Sequence, residues 1–246
     1  MDYLMKRSKR NMKMKHIIIF SSLFLISSCV KPVALDSSVL DDTKRPAEER
    51  AQDDSRKAID VYTFIGVQPG MTVADLWPGG GYNTHLLSRH MGNSGRVFCM
   101  MGFYGSGRYD MLDKIKTRIE DAELNNVEIF DKPSDLPPGS IDGMVSIRTY
   151  HDAKPPRDQL LKELYDALKP GGIIGIVDVA TDHPDWDDDT HRLNEQVVID
   201  EFTANGFTLE GSSDMLRNPD DDHSISGFTE GRHTMDRYLL KFRKQG

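Results

Sequence analysis

One pattern constrains the fold more than any other: apolar runs of strand length alternate with glycine-bearing turns and helical segments. Residues 73–87, VADLWPGGGYNTHLL, show one full cycle of strand, three consecutive glycines and the start of a helix. The cycle then repeats. MTVADLW precedes a helix over 82–91, GRVFCMM one over 111–124, and IDGMVSI one over 157–168, while the short run VEIF leads to the breaker PPG at 137–139. The run IIGIVDV, entered through KPGG, is almost wholly apolar. Strands with few polar positions, separated by helices, predict an α/β chain whose parallel sheet is covered on both faces. In the last third a helix over 193–205 stops at Gly206. Two β-rich runs follow, FTLEGSSDML and DRYLLKFR, which are predicted to pair antiparallel at one end of the sheet.

The N-terminus belongs to a different logic. Lys6, Arg7, Lys9, Arg10, Lys13 and Lys15 precede an apolar run over 17–26 that is about half the ~20 residues a spanning helix needs. A basic region, a short apolar region and small residues define a secretory signal over 1–28. The ending Ile26-Ser27-Ser28-Cys29 resembles a bacterial lipobox, in which the cysteine becomes the lipidated N-terminus; the alternative is an ordinary signal with an incidental cysteine. The resemblance implies an exported protein held in the bacterial envelope by a lipid on Cys29, facing the periplasm in a Gram-negative cell. Cys99 is the only other cysteine, and its apolar run makes it a buried small hydrophobe.

The leader carries six of the 31 basic residues and one of the 39 acidic ones, leaving 25 against 38, a net charge of −13. Such a chain is repelled by nucleic acid and by anionic lipid headgroups. Residues 29–45 are polar without sustained periodicity and read as an anchor cysteine with a flexible tether. Pro46 then suits the first position of a helix, with Glu48 and Glu49 near its positive end. That helix is predicted to run through Ile59, Val61, Phe64 and Ile65 to Gly66, opening one domain over 46–246.

Asp75 closes the first strand, and Gly79, Gly80 and Gly81 occupy the turn into the helix. In a doubly wound sheet ligands sit beyond the carboxyl ends of the strands, where glycines let backbone approach and a helix N-terminus offers free N–H groups. The segment ALKPGGIIGIVDVA, 167–180, adds a helix end, a tight turn and a buried strand with Asp178 near its end. Together the two segments resemble the class I S-adenosylmethionine-dependent methyltransferases over about residues 46–246. They are most similar to an exported bacterial subgroup with a Trp-Pro-Gly-Gly-Gly loop (here Trp77 to Gly81), His151 after the fourth strand, His191-Arg192, and Asn218 to Asp221. The resemblance implies a doubly wound, mostly parallel seven-stranded sheet with an antiparallel C-terminal strand pair. It also implies S-adenosylmethionine as cofactor and a cofactor site at Asp75, Trp77, Gly79, Gly80, Gly81 and Asp131.

Two positions depart from the family's pattern. Trp77 stands where the loop's first glycine is usual, and Pro78 is expected to hold Trp77 extended. An indole there either turns into the core or walls the pocket. After the second strand, where the family places an acid for the ribose hydroxyls, this chain has Met100, Met101, Gly102 and Phe103. Asp131, after the third strand, either faces the adenine or is a surface aspartate.

For chemistry, RTYHD at 148–152 is the leading candidate. His151 reads as a general base near neutral pH with Asp152 orienting it, or else as a loop hydrogen-bonding residue beside a turn cap. Arg192 offers a fork for a carboxylate or phosphate, or an ion pair with Asp187, Asp188 or Asp189. The alternating Asp185, Asp187, Asp189 and His191 lack the glycine and distal glutamate of a calcium loop, so no metal is expected there. The expected activity is methyl transfer to a small-molecule or envelope-component acceptor. The competing expectation is a non-catalytic envelope protein, or a small-molecule binder, that keeps the fold.

Overall fold

The computed structural model describes residues 35–102, 110–227, 229 and 234–246. The signal segment, Cys29, Phe103 and part of the 220–233 loop lie outside the described residues. The chain divides into two units, residues 1–31 and 32–246, and the second carries the fold.

Seven strands form the main sheet: β1 (Thr72–Leu76), β2 (Arg96–Met100), β3 (Val127–Phe130), β4 (Ile141–Ile147), β5 (Leu168–Val179), β8 (Phe207–Ser213) and β9 (Arg237–Lys244). Their order is β3-β2-β1-β4-β5-β9-β8. The first five are parallel, while β9 runs antiparallel to both β5 and β8. Two further short strands, β6 (Trp186–Asp187) and β7 (Arg192–Leu193), make a separate antiparallel ribbon. Helices α3 (Ala58–Ile65), α4 (Tyr82–Met91), α5 (Met111–Asp121), α6 (Asp158–Ala167) and α7 (Glu195–Ala204) cover the sheet. Among the described residues no helix is long and apolar enough to cross a membrane.

Alternation along the strands builds a core on each face, as the apolar runs require. Ala74, Leu76, Met144, Ile174 and Ile176 pack with Leu161 and Leu164 of α6 and Phe202 of α7. Val73, Val97, Val145 and Val177 pack with Tyr62 and Ile65 of α3 and Leu86 and Leu87 of α4. The KPGG segment differs from its expected turn: it lies within β5, whose pairing with β4 shifts register between Ile141 and Gly143. Sheet order reverses between β1 and β4, so the carboxyl ends of those strands open the crevice where a ligand is expected.

The N-terminal segment corrects two expectations. The helix from Pro46 is broken into α1 (Ala47–Arg50), α2 (Asp53–Arg56) and α3, because Lys57 adopts a left-handed φ of 47° between the last two. Residues 35–45 are not a tether. They form a 3-10 turn over Ser37–Asp41, capped by the Asp36 carboxylate, and bind to α4 through charge. Asp42 accepts from His85 Nε2 at 2.9 Å and Arg89 Nε at 2.7 Å, and Arg45 forks onto Asp53 with its side chain fully buried. Leu35 is also buried in the α3–α4 core with Val39 and Leu40 packed against it, and three such apolar positions are too few to write a period into the sequence.

Candidate functional site

At the end of β1 the chain must turn towards α4 while keeping its pairing with β2. Trp77 N–H still donates to Met100 O at 2.8 Å, and Trp77 then takes a φ of 56°. The pre-proline expectation of an extended Trp77 is therefore wrong. Tertiary packing outweighs the local preference, at the usual left-handed cost of roughly 1–2 kcal/mol. The indole is buried in the core cluster with Tyr150 and Leu136, and its Nε1 and Cδ1 atoms lie directly against Gly102. It also walls a cleft of about 310 Å³ lined by Gly102, Lys132, Pro133, Ala153 and Leu160. Both fates considered for Trp77 are thus combined.

The three glycines divide their work. Gly81 has a φ of 87°, and a Cβ there would meet Arg118 Cδ at 2.7 Å and Ile115 Cδ1 at 2.8 Å. Its bare backbone is therefore required by the turn and by α5. Gly79 has a φ of 56° with open space around it. Gly80 gives its carbonyl to Arg118 Nε at 2.7 Å and borders a hollow between the strap and α5, on a different side from the Trp77 cleft. Asp131 is exposed, and Lys132 and Pro133 form the wall in its stead.

Asp75 is 1 % exposed and points towards α4. One carboxylate oxygen accepts from the Thr84 hydroxyl at 2.6 Å, while Oδ1 has no hydrogen-bond partner. Burial pushes its pKa up to about 7, against the partial relief of the Thr84 bonds.

The second part of the site lies on β4 and β5, whose parallel register pairs Ile147 with Val177. That register brings the turn after β4 beside Asp178. His151 Nδ1 meets Asp178 Oδ1 at 2.6 Å, and the His151 backbone N–H donates to Asp178 Oδ2 at 3.0 Å. Asp178, not Asp152, therefore orients the imidazole. Burial pushes the His151 pKa down, but the Asp178 charge and hydrogen bond, helped by Asp152, outweigh it and leave the pKa raised. Asp152 Oδ1 lies 3.8 Å from His151 Nε2 and 3.2 Å from His191 Nε2. Trp186 stacks on His151 at 5.8 Å between ring centroids and meets His191 edge-on at 4.7 Å. Sequence reasoning missed the roles of Asp178 and Trp186.

Arg192 is not available to a substrate. Its guanidinium is fully buried and forks onto Asp221 at 2.9 and 3.1 Å, with the carbonyls of Ala180 and Ile225 taking its remaining donors. Neither the substrate fork nor the pairing with Asp187, Asp188 or Asp189 holds. The carboxylate of Asp187 instead serves its own turn, accepting from Thr190 Oγ1 at 2.6 Å.

A cluster of arginines borders the same carboxyl edge. Arg56, Arg148 and Arg237 line a small enclosed cavity together with Tyr62 and Asn83. Arg237 is 7 % exposed; Nη2 donates to Ser55 O at 2.7 Å, and Nε has no partner. Burial, then the nearby Arg56 charge, pushes the Arg237 pKa down. Of the three only Arg237 is buried, and the cavity, about 10 Å³, has room for no more than one water molecule.

No family model matches the chain. Solved structures do. A SAM-dependent methyltransferase from Aquifex aeolicus superposes with a TM-score of 0.61 at 18 % identity, covering 85 % of this chain and 98 % of that one. The cyclase SpnF superposes at 0.60 and 16 % identity, covering 79 % and 82 %. The 1,6-didemethyltoxoflavin-N1-methyltransferase of Burkholderia thailandensis, solved with S-adenosylhomocysteine, gives 0.55 and 16 % identity, covering 81 % and 80 %. The architecture is the class I S-adenosylmethionine-dependent methyltransferase fold. At these identities the likeness establishes the fold and nothing narrower.

Proposed function

We propose that the protein transfers a methyl group from S-adenosylmethionine to a small-molecule or envelope-component acceptor, as an exported lipoprotein anchored through Cys29. One observation carries the reading: the Trp77 cleft and the His151–Asp178 pair share the segment after β4, since Ala153 and Lys154 wall the cleft two and three residues beyond His151. A hollow of about 310 Å³ lies at the small end of the range for ligand sites. The cofactor would supply an electrophilic sulfonium methyl. This chain's residues would hold and orient: Trp77 as an aromatic wall, and His151 Nε2 as acceptor for the nucleophile's proton. Asp178 keeps the proton-bearing Nδ1 turned away from the acceptor.

Trp77 in the first-glycine position supports a second reading, in which the cleft takes a different ligand. The cyclase SpnF has a similar fold.

Equilibrium titration of the protein with S-adenosylmethionine and S-adenosylhomocysteine tests the proposal. Saturable binding that Leu160→Trp abolishes by filling the cleft, and that Asp75→Ala weakens, is the expected result. No saturable binding, or binding indifferent to both changes, overturns it. Separately, Cys29→Ala should move the protein from the membrane fraction to the soluble envelope fraction; an unchanged membrane fraction argues against lipidation.

A further inference from the structure

We infer that His151, Asp152 and His191 form a three-ligand site for a divalent transition-metal ion, with Asp178 as the outer partner of His151. Among the described residues this is the one cluster of three such side chains whose ligand atoms converge, all within 4.8 Å of one another. Asp152 Oδ1 stands 3.2 Å from His191 Nε2 and 3.8 Å from His151 Nε2. Ligands at about 2.1 Å from a tetrahedral ion lie roughly 3.4 Å apart, so small inward shifts would close the set.

Three features beyond proximity support an ion. The Asp178 carboxylate holds His151 Nδ1 at 2.6 Å, which fixes the tautomer and turns Nε2 into the cluster. Carboxylate–histidine–metal arrangements have this form. His191 sits at a φ of 57°, a strained conformation that persists where the surroundings dictate it. The Trp186 indole stacks on one imidazole and meets the other edge-on, locking both rings. Two imidazole nitrogens and one carboxylate oxygen select zinc, ferrous iron or cobalt over magnesium or calcium, and three protein ligands leave a position open. A hydroxyl or thiol bound there would be acidified by the ion. With the ion bound, Nε2 is a ligand and no longer a base.

The inference stands apart from cofactor binding, because these ligands lie on the turn after β4 and the β6–β7 ribbon, not in the Trp77 cleft. The test is Co²⁺ titration of the chelator-treated full chain in detergent, followed by visible absorbance and equilibrium dialysis. A single saturable site is expected. His191→Ala and Asp152→Asn should abolish it, and Asp178→Asn, which leaves all three ligands, should weaken it by about 10–100-fold. His183→Ala, at an exposed histidine outside the cluster, should change nothing. Absence of saturable binding overturns the inference, and so does binding that persists unchanged in folded His191→Ala and Asp152→Asn chains. S-adenosylmethionine titration of the same samples separates the two proposals, since either ligand can bind where the other fails.

Discussion

The indole of Trp77 lies so close over Gly102 that a Cβ on residue 102 would sit 1.7 Å from Nε1. The tryptophan at the end of β1 is therefore accommodated by a glycine in the run where the second departure falls. An aromatic side chain fills the end of β1, and Gly102, just beyond the end of β2, has to be bare to admit it. An acid at position 102 and a tryptophan at position 77 cannot coexist in this geometry.

That coupling is measurable. Gly102→Ala should destabilise the protein by about 2–4 kcal/mol, from overpacking against the indole and from the φ of 52° at this position. Trp77→Gly should cost about 2–3 kcal/mol, lost burial outweighing relieved left-handed strain. Combined, the two should cost less than their sum by at least about 1 kcal/mol. Urea denaturation of the four proteins closes the cycle. Additive costs would mean that the indole leaves this position without help.

Asp75 sets a pH dependence of stability. Its folded pKa of about 7 exceeds the ordinary 3.8, so between those values the folded state holds more protons than the unfolded one. Stability should therefore be fully present below about pH 4, fall by up to about 4 kcal/mol as pH rises to 7, and level off above. Asp75→Asn should flatten this part of the profile. Denaturation at pH 5 and pH 8 shows whether the two proteins differ as described.

His151 should titrate above its ordinary 6.5 in chelator-treated protein. Its contribution to stability is then complete below 6.5 and disappears as pH rises through the folded value. Asp178→Asn removes the charge that opposes burial, so the imidazole pKa should fall below 6.5. Histidine NMR titration reads both values directly, and an unmoved pKa in Asp178→Asn would contradict the pairing.

The strap should contribute to stability as a folded element. Arg45 has a fully buried side chain that donates to Leu40 O at 2.7 Å and forks onto Asp53, which also accepts from Tyr82. Arg45→Ala should cost about 3–5 kcal/mol, because Asp53 loses the guanidinium that forks onto it and keeps only the Tyr82 hydroxyl bond. Removing residues 30–45 should lower the melting temperature too. A flexible tether would show neither effect in thermal denaturation.

Most strands were legible in the sequence, because a buried parallel strand writes itself as an apolar run of the right length. β3 and β4 match their predicted spans, and α4 begins and ends where its turn residues placed it. The site was legible only in part. His151 stood out as a residue type after a strand, but its partner Asp178 is 27 positions away. They meet through the register of β4 on β5, which residue spacing does not encode. The same holds for Arg192, whose counter-ion Asp221 comes from a later loop rather than from the neighbouring acids. Trp77 failed for another reason: the local rule was sound, and packing on Gly102 overrode it.

The buried Arg192 clamp has a kinetic consequence. It ties β7 to Asp221, whose carboxylate also accepts the backbone N–H of Asp236 beside β9, and so fixes the ribbon that presents Trp186 and His191. The ordering entropy of this rim is already spent when the chain folds. Ligands should meet a preformed rim, with association showing one concentration-dependent phase and no slow closing step behind it.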